Sequence, residues 1–471
     1  MTFKRVVLIR PFPFFAREIN EATNYPPLGL AYIASFLESK GVNCKIIDAN
    51  LLRLEDNEIL KLIEDFDPDF IGISSNIAYA KDANQISKFL KKSIGKFVVI
   101  GGPFATSMVK ETLDESEADC VVMGEGELVF WNIVKNEGNL DGMRGVSYIR
   151  KGEIVNNPRE SLIEDLDMIP FPAYHLLPDL KLYESRSRES PVAPVLTSRG
   201  CPYQCVYCNK NIFGSKFRKR SPENIIDEIE LLVNKYNVKQ IDILDDNFTL
   251  DLERAERILD MLIERKIKVH ITFPNGLRAD RLTKGIVCKM KKVGVYKVGV
   301  GIETGDPGIM KNIKKNLDLD KVVQAIMWFR EEKITVFGFF MLGLPGDNSE
   351  TMQRTIDFAK KANPHIANFA ITIPMPDTEL FEMIKKQGKF VRDASSVDKG
   401  YYTINEGHYE LGDLKSKEVL KYQRKAYTSF YFRPSKIFEF LFLIKSMREL
   451  KWTIRTALPL LKGIFKFSKD N

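Results

Sequence analysis

No stretch of the 471 residues approaches the roughly 20 consecutive apolar residues that span a bilayer. The richest candidate, IFEFLFLI at 437–444, contains Glu439 and stops at Lys445, so a spanning helix is not expected. The opening MTFKRVVLIRPFPFF offers only residues 6–9 as an apolar run before Arg10 and Pro11. That is too short for a signal-peptide core and reads as a first β-strand. Histidine is scarce: the four present, His175, His270, His365 and His408, all lie outside residues 1–140. A histidine ligand from the first 140 residues is therefore excluded, and isolated His175 and His270 read as ordinary structural residues. Cysteine is sparse too, six in all with three of them clustered, which fits a reducing intracellular compartment better than a disulfide framework. The first strand is not followed by G-x-G-x-x-G, so a dinucleotide site has no fingerprint there.

What is present is a globular composition, 44% hydrophobic, in a chain long enough for two or three domains. Short β-branched runs at 6–9, 44–48, 70–74, 97–100 and 120–123 alternate with amphipathic segments such as residues 31–40. Continuous apolar strands between helices predict a doubly wound, Rossmann-like parallel sheet over residues 1–140, with ligands at the carboxyl ends of its strands. Gly101 and Gly102 follow the fourth run, and Gly124, Glu125, Gly126 and Glu127 follow the fifth. Each pair reads either as a ligand-approach point or as a tight turn. Residues 141–190, proline-bearing and without sustained period, read as a linker.

A second alternation begins near 191, with strands around Val195, Ile241, Val269, Val298, Val336 and Phe369, and a helix at 222–235 capped by Ser221 with Pro222 at its first position. Six β/α units over 191–395 predict a partial (β/α)6 barrel with its chemistry at the C-terminal rim. Residues 396–471 form a basic, aromatic helical extension. Residues 415–471 hold 14 Lys or Arg against 4 Asp or Glu, a local excess of ten that leaves the remainder at −3 of the net +7.

The chemistry is concentrated in TSRGCPYQCVYCN, where Cys201, Cys205 and Cys208 stand three and then two residues apart after the first barrel strand. Three thiolates so close suit a polynuclear iron site with one iron left open. A structural zinc site is the alternative, but such sites are closed by four ligands, and no His or fourth Cys lies nearby. A disulfide would strand the third sulfur. With Tyr207 just before the last Cys, the motif resembles the C-x3-C-x2-C of the radical S-adenosylmethionine enzymes. That resemblance implies a 4Fe-4S cluster on the three cysteines, whose electron cleaves S-adenosylmethionine to methionine and a deoxyadenosyl radical.

The other rim segments then acquire roles. S-adenosylmethionine chelating the open iron needs a carboxylate for its ammonium and a cation for its carboxylate, and Asp245 or Asp246 and Arg278 are placed for these tasks. The plainer reading of the acidic pair is a helix N-cap at 246–248. Gly301, Glu303 and Thr304, in GIET, resemble the family's ribose-side GIE element; Glu303 reads otherwise as a solvent-facing charge. FFMLGLPGD resembles the family's fifth-strand segment, with Asp347 where Glu is usual and MPDT at 375–378 where PGT is usual.

The first 140 residues resemble the cobalamin-binding domain that precedes the barrel in one large radical subgroup, which includes anaerobic Mg-protoporphyrin ester cyclases and class B methyltransferases. The matching segments are NYPPLGLAYIASFLESKG at 24–41, Asp48, PDFIGIS at 68–74, VVIGGP at 98–103 and MGEGE at 123–127. They imply cofactor contacts at Pro27, Gly29, Ser74, Gly101, Gly102, Gly124, Glu125, Gly126 and Glu127. The loop after the first strand, RPFPFFAREINEA, lacks the axial His of the usual motif, implying a cobalt without a histidine below it.

The implied function is methyl transfer to an unactivated carbon of a hydrophobic small molecule or lipid. Radical oxidation, cyclisation or carbon–carbon bond formation is the alternative within the class, and a cobalamin or redox sensor the alternative outside it. An electron donor such as a ferredoxin or flavodoxin is implied. The location expected is cytoplasmic, with the tail, KYQRKAYTSFYF and beyond, read either as an interfacial helix on the inner face of an anionic membrane or as helices packed on the barrel. No nucleic-acid module accompanies the charge. Cys44, Cys120 and Cys288 read as structural.

Overall fold

The computed structural model describes residues 4–13, 25–183, 187–391, 407–443 and 446–450. The chain divides into two compact units, one running to Tyr183 and taking in Lys210–Lys219, the other comprising most of the remainder. The loop read for its missing histidine lies largely outside the described residues, as do residues 451–471 of the tail.

The first unit is a seven-stranded sheet. Strands β1 (Arg5–Arg10), β2 (Asn43–Asp48), β3 (Phe70–Ser74), β4 (Phe97–Gly101) and β5 (Cys120–Val122) are parallel in the order 2-1-3-4-5. The strand order reverses between β1 and β3, where doubly wound sheets open their ligand crevice. The central strands are apolar over most of their length because both faces are covered. Val6 and Leu8 pack into one core with Phe70, Val99 and Val122, while Val7 and Ile9 join Ile71, Ile73, Val98 and Ile100 in the other. Cys44 and Cys120 belong to the first core, and burial pushes their thiols up, Cys44 to about 12, so both stay protonated packing groups.

One expectation needs correction here. The segment read as a linker contains β6 (Val146–Arg150) and β7 (Glu153–Asn156), an antiparallel hairpin that extends the sheet beyond β5. Val146, Tyr148, Ile149, Ile154 and Val155 are strong β-formers, and the pairing of Val146 and Ser147 with β5 joins the hairpin to the sheet. Behind the carboxyl ends of β1 and β2, the Arg10 guanidinium clasps buried Asp48 through two 2.7 Å contacts. Tyr183 donates to the same carboxylate at 2.8 Å, and Asp48 also caps the turn at Leu51. A buried charge so fully satisfied fixes the path of the chain leaving the sheet.

The second unit contains six parallel strands, each hydrogen-bonded to its neighbour in chain order: Val192–Val195 (β8), Gln240–Ile243, His270–Leu277, Val295–Glu303, Thr335–Leu342 and Ile366–Ile371. Helices Pro222–Lys235, Leu252–Glu264, Lys284–Lys292, Leu319–Glu331 and Ser349–Ala362 supply the connections. Ser221 caps the first of these with Pro222 following, as expected. This is the partial (β/α)6 barrel.

The tail helix Ser416–Tyr431 packs along the last strand of this barrel. Tyr427 accepts from Phe369 N at 3.2 Å, Tyr431 accepts from Ala367 N at 3.0 Å, and Gln423 donates to the Phe369 carbonyl at 2.9 Å. The aromatic side chains thus blunt an edge strand whose main chain would otherwise be open to another chain. The next helix, Pro434–Leu443, is anchored by buried Lys436, which donates to the Pro364 carbonyl at 2.5 Å and pairs with Glu439. Glu439 in turn meets Arg330 at 2.6 Å. Over residues 416–439 the reading of helices packed on the barrel is therefore the one observed.

Candidate active site

The three thiols leave the barrel on an irregular loop just beyond β8. None is in a disulfide; Cys201 and Cys205 are half-buried and Cys208 is exposed. A loop without repeating structure needs its main chain tied down, and Val206 does this from between the second and third cysteines. Its N–H donates to the Ile313 carbonyl at 3.2 Å, and its own carbonyl accepts from Leu380 N at 2.9 Å. Cys208 N closes a turn on the Cys205 carbonyl at 3.1 Å, and Asn209 donates to the Pro376 carbonyl at 2.8 Å. Pro376 lies in MPDT, so that variant segment serves to hold the end of the cysteine loop, while Thr378 caps the helix that begins at Glu379.

The loop's entry is fixed from the other side by Asp245. Its carboxylate, 3% exposed, accepts from Thr197 N at 2.6 Å, from the Thr197 hydroxyl, and from Ser198 Oγ at 2.6 Å. Arg254 donates to the Thr197 carbonyl, and Arg220, paired with buried Glu228, donates to the Leu196 carbonyl at 2.9 Å. A carboxylate saturated in this way positions the strand end rather than reaching for a ligand. Asp246 is exposed, and the helix-cap reading of it fails: Asp251 caps the helix that starts at Leu252.

Arg278 is also committed. Its guanidinium donates to the carbonyls of Lys315 at 2.9 Å and Asn316 at 2.8 Å, meets Asp280 at 3.1 Å, and lies over the Tyr203 ring at 4.0 Å. Thr304 is fully buried, its hydroxyl 3.0 Å from that of Thr355 and bonded to Asp306 N. Asp347 closes its own loop by accepting from Gly343 N at 3.0 Å and Leu344 N at 2.9 Å, while burial pushes its carboxyl up to about 6.

Glu303 is not a solvent-facing charge. Its side chain is 11% exposed and holds Lys315 Nζ at 2.6 Å. Lys315 Nζ lies 3.4 Å from the hydroxyl of Tyr207, whose proton is held on by burial and then by the Glu303 carboxylate. A Cβ on Gly301 would sit 3.0 Å from both the Glu303 oxygen and Lys315 Nζ, so glycine there keeps room for the pair. Lys315 was not singled out by sequence, being one of three lysines in KNIKKN with no motif around it.

In the first unit, the carboxyl ends of β3, β4 and β5 bring together Ser74, Gly101, Gly102 and Gly124. Gly102 has φ +108 and a Cβ there would meet the Ser75 carbonyl at 2.5 Å; Gly124 has φ +82, and a Cβ there would meet only the Ile212 carbonyl, at 3.9 Å. The Ser75 hydroxyl is fully buried and has no hydrogen-bond partner among the described residues. A side-chain-free rim beside an orphaned hydroxyl suits a large polar ligand such as a corrinoid. Ser74 Oγ stands 3.4 Å from Tyr79 Oη, Pro27 precedes the helix Leu28–Glu38, and Gly29 on that helix has open space where a Cβ would be.

Two of the expected contacts there are used otherwise. Glu125 is buried, and its carboxylate meets Arg218 at 2.8 Å and Ile163 N at 3.2 Å. A Cβ on Gly126 would lie 2.6 Å from Ile33, so this glycine permits two helices to pack. Glu127 is buried at 4% exposure.

Comparison with known proteins converges on both units. The radical SAM superfamily model matches residues 195–359 and the B12 binding domain model residues 19–134. An uncharacterized methyltransferase of Pyrococcus horikoshii is 33% identical over 94% of this chain and 95% of its own length. The chain belongs to the cobalamin-dependent radical S-adenosylmethionine family. It is an enzyme using a 4Fe-4S cluster, S-adenosylmethionine and cobalamin, and the regulatory-sensor alternative is set aside. Anaerobic magnesium-protoporphyrin IX monomethyl ester cyclase of Rubrivivax gelatinosus is 29% identical over 80% of this chain and 69% of its own. The fold is shared with the radical S-adenosylmethionine methyltransferase TsrM of Kitasatospora setae, at TM-score 0.71 and 15% identity, covering 92% of this chain and 90% of that one.

The family chemistry fits the residues present: three cysteines, none of them in a disulfide, share one tethered loop. Asp245 provides a test of how the loop is held. Asp245→Ala strands three buried donors at about 1–3 kcal/mol each. It is expected to lower both the thermal midpoint and the iron retained after anaerobic reconstitution and desalting. Unchanged iron and midpoint would show that Thr197 and Ser198 are held by other means.

Proposed function

We propose that the protein transfers a methyl group to an unactivated carbon of a hydrophobic small-molecule acceptor. The observation that carries this reading is the pairing, in one chain, of a tethered three-thiol loop on a barrel rim with a doubly wound unit whose rim is stripped of side chains for a corrinoid. When bound, these groups supply one-electron cleavage of S-adenosylmethionine and methyl donation to carbon. The protein's own contribution is to bind and orient: Val206 fixes the loop, Asp245 its entry, and the Glu303 and Lys315 pair offers both signs of charge to an amino-acid moiety. The main alternative within the class is radical cyclisation or oxidation, which the likeness to the protoporphyrin ester cyclase supports. Methyl transfer is favoured by the likeness to a methyltransferase along nearly the whole chain.

The reaction needs an electron source, and a small ferredoxin or flavodoxin of the cytoplasm fits that need. A peripheral contact with anionic lipid at the inner face of a membrane is a further part of the proposal. It is supported by Phe432, Ile437, Phe438 and Met447, which are 52–70% exposed amid a basic tail. No helix among the described residues is long and apolar enough to cross a membrane.

Two experiments test these statements. Anaerobically reconstituted protein given cobalamin, dithionite, S-adenosylmethionine and a lipid extract is expected to form both 5′-deoxyadenosine and S-adenosylhomocysteine, with label from the S-methyl group in an apolar product. Deoxyadenosine without S-adenosylhomocysteine or labelled product would favour the cyclisation or oxidation reading. For the membrane contact, the I437E/F438E variant is expected to float less than wild type with vesicles containing anionic lipid. Equal flotation would remove the tail's role.

A further inference from the structure

Side chains along the barrel strand Thr335–Leu342 alternate between buried and half-buried. Val336, Phe340 and Leu342 are buried on the helix side. There Phe340 stacks on Phe369 at 5.2 Å between ring centres, and Phe369 meets Tyr427 and Phe430 of the tail helix at 5.5 and 6.1 Å. Phe337, Phe339 and Met341 face the other way, into the barrel, and all three are half-buried. We propose that this inner face is the platform for the acceptor, that Phe339 is its specificity-determining residue, and that the acceptor is a rigid, flat molecule of fused rings rather than a chain. This rests on the reading of a hydrophobic acceptor and adds its shape.

A closed barrel fills its centre with layers of bulky branched side chains. Here Phe337 and Phe339 stand in register with Gly299 and Gly301 on the adjacent strand. A Cβ on Gly299 would lie 2.6 Å from the Phe339 ring and 3.0 Å from Gly276 Cα. One on Gly276, which has φ +97, would lie 3.7 Å from the same ring. Strand side chains ordinarily stand upright on their sheet. The Phe339 ring instead leans across main chain that carries no side chain, and a larger residue at Gly299 would lift it.

The result is a low apolar floor instead of a groove. From Gly276 to Phe339 it crosses two strand spacings, roughly 10 Å, and from Phe337 to Met341 it runs four residues, roughly 13 Å. Apolar gain follows the area removed from water, so a chain gains most from a narrow slot that wraps it. A plate of fused rings gains contact over one whole face, with the Phe339 ring offset-stacked beneath it and the Met341 sulfur at its edge.

The floor is also continuous with the cofactor end of the barrel. Phe339 is level with Gly301, where the missing side chain leaves room for Glu303 and Lys315, and Lys315 reaches Tyr207 of the cysteine loop. A plate lying on the floor therefore has one end beside the site where the radical forms.

The plain alternative is ordinary packing of a barrel interior with no ligand on it. Binding read without turnover separates the two, on full-length protein reconstituted without oxygen, with iron and corrinoid measured on every sample. Equilibrium dialysis compares 1-pyrenebutyrate, a flat plate of fused rings, with palmitate, a chain that likewise carries a single carboxylate. The preference is the palmitate constant divided by the pyrenebutyrate constant. Wild type is expected to prefer the plate by about tenfold or more. Phe339→Leu, which keeps apolar bulk without a flat face, is expected to cut that preference roughly 3–10-fold with palmitate binding little changed.

Should Phe339→Leu lose iron, Phe337→Leu, lower on the same face, carries the same comparison. Equal binding of plate and chain by iron-loaded wild type, or an unchanged preference in an iron-loaded variant, would overturn the proposal. Methyl transfer is read separately, by S-adenosylhomocysteine. Protein that prefers the plate yet forms none would contradict the methyl-transfer reading alone, and protein that forms it without any preference would contradict the platform alone.

Discussion

A loop that must hold three sulfurs in a fixed relation, and has no helix or strand of its own, depends on whatever grips its main chain. Here that grip is Val206, whose N–H and carbonyl are both taken by partners far away in sequence, at Ile313 and Leu380. The first leads into the turn bearing Lys315, and the second into the helix beginning at Glu379. The cysteine loop is therefore tied to two separate elements of the barrel unit. A shift in either support would be felt at the sulfurs, because main-chain bonds of this kind leave little slack.

Around that grip the barrel is arranged in layers of commitment. Asp245, Arg254 and Arg220 with Glu228 are all buried and saturated with partners, and they fix the stem of the loop. Arg278, also occupied, fixes the turn. Glu303 and Lys315 form a mostly buried ion pair 2.6 Å apart beside Tyr207 of the cysteine loop. The barrel rim thus uses most of these charged residues to hold geometry, which is how a rigid, preorganised site is built.

Much of this was legible in the sequence, for identifiable reasons. Strands β1 to β5 declare themselves because both sheet faces are covered, so each carries a run of apolar residues. The cysteine spacing declares itself because three thiols in eight residues have few other uses. What could not be read depended on contacts distant along the chain. Asp245 and Arg278 are correctly placed at the rim, but only the fold reveals that Thr197 and Ser198 claim one, and the carbonyls of Lys315 and Asn316 the other. Glu125 is spoken for by Arg218, ninety-three residues on. The hairpin at 146–156 has β-forming residues of its own, and what its sequence does not announce is that it joins the sheet along β5. Tyr427 and Tyr431, in a tail that read either as an interfacial helix or as helices packed on the barrel, are hydrogen-bonding caps on the last barrel strand.

The central claim is that Cys201, Cys205 and Cys208 together hold an iron–sulfur cluster that splits S-adenosylmethionine. The direct measurement is iron, sulfide and 5′-deoxyadenosine on the wild type and on each single Cys→Ala variant, purified and reconstituted without oxygen. The account predicts about four irons and four sulfides per wild-type chain. It predicts deoxyadenosine on reduction, and loss of that product in all three variants. Zinc in place of iron, or variants that form deoxyadenosine as the wild type does, would contradict it.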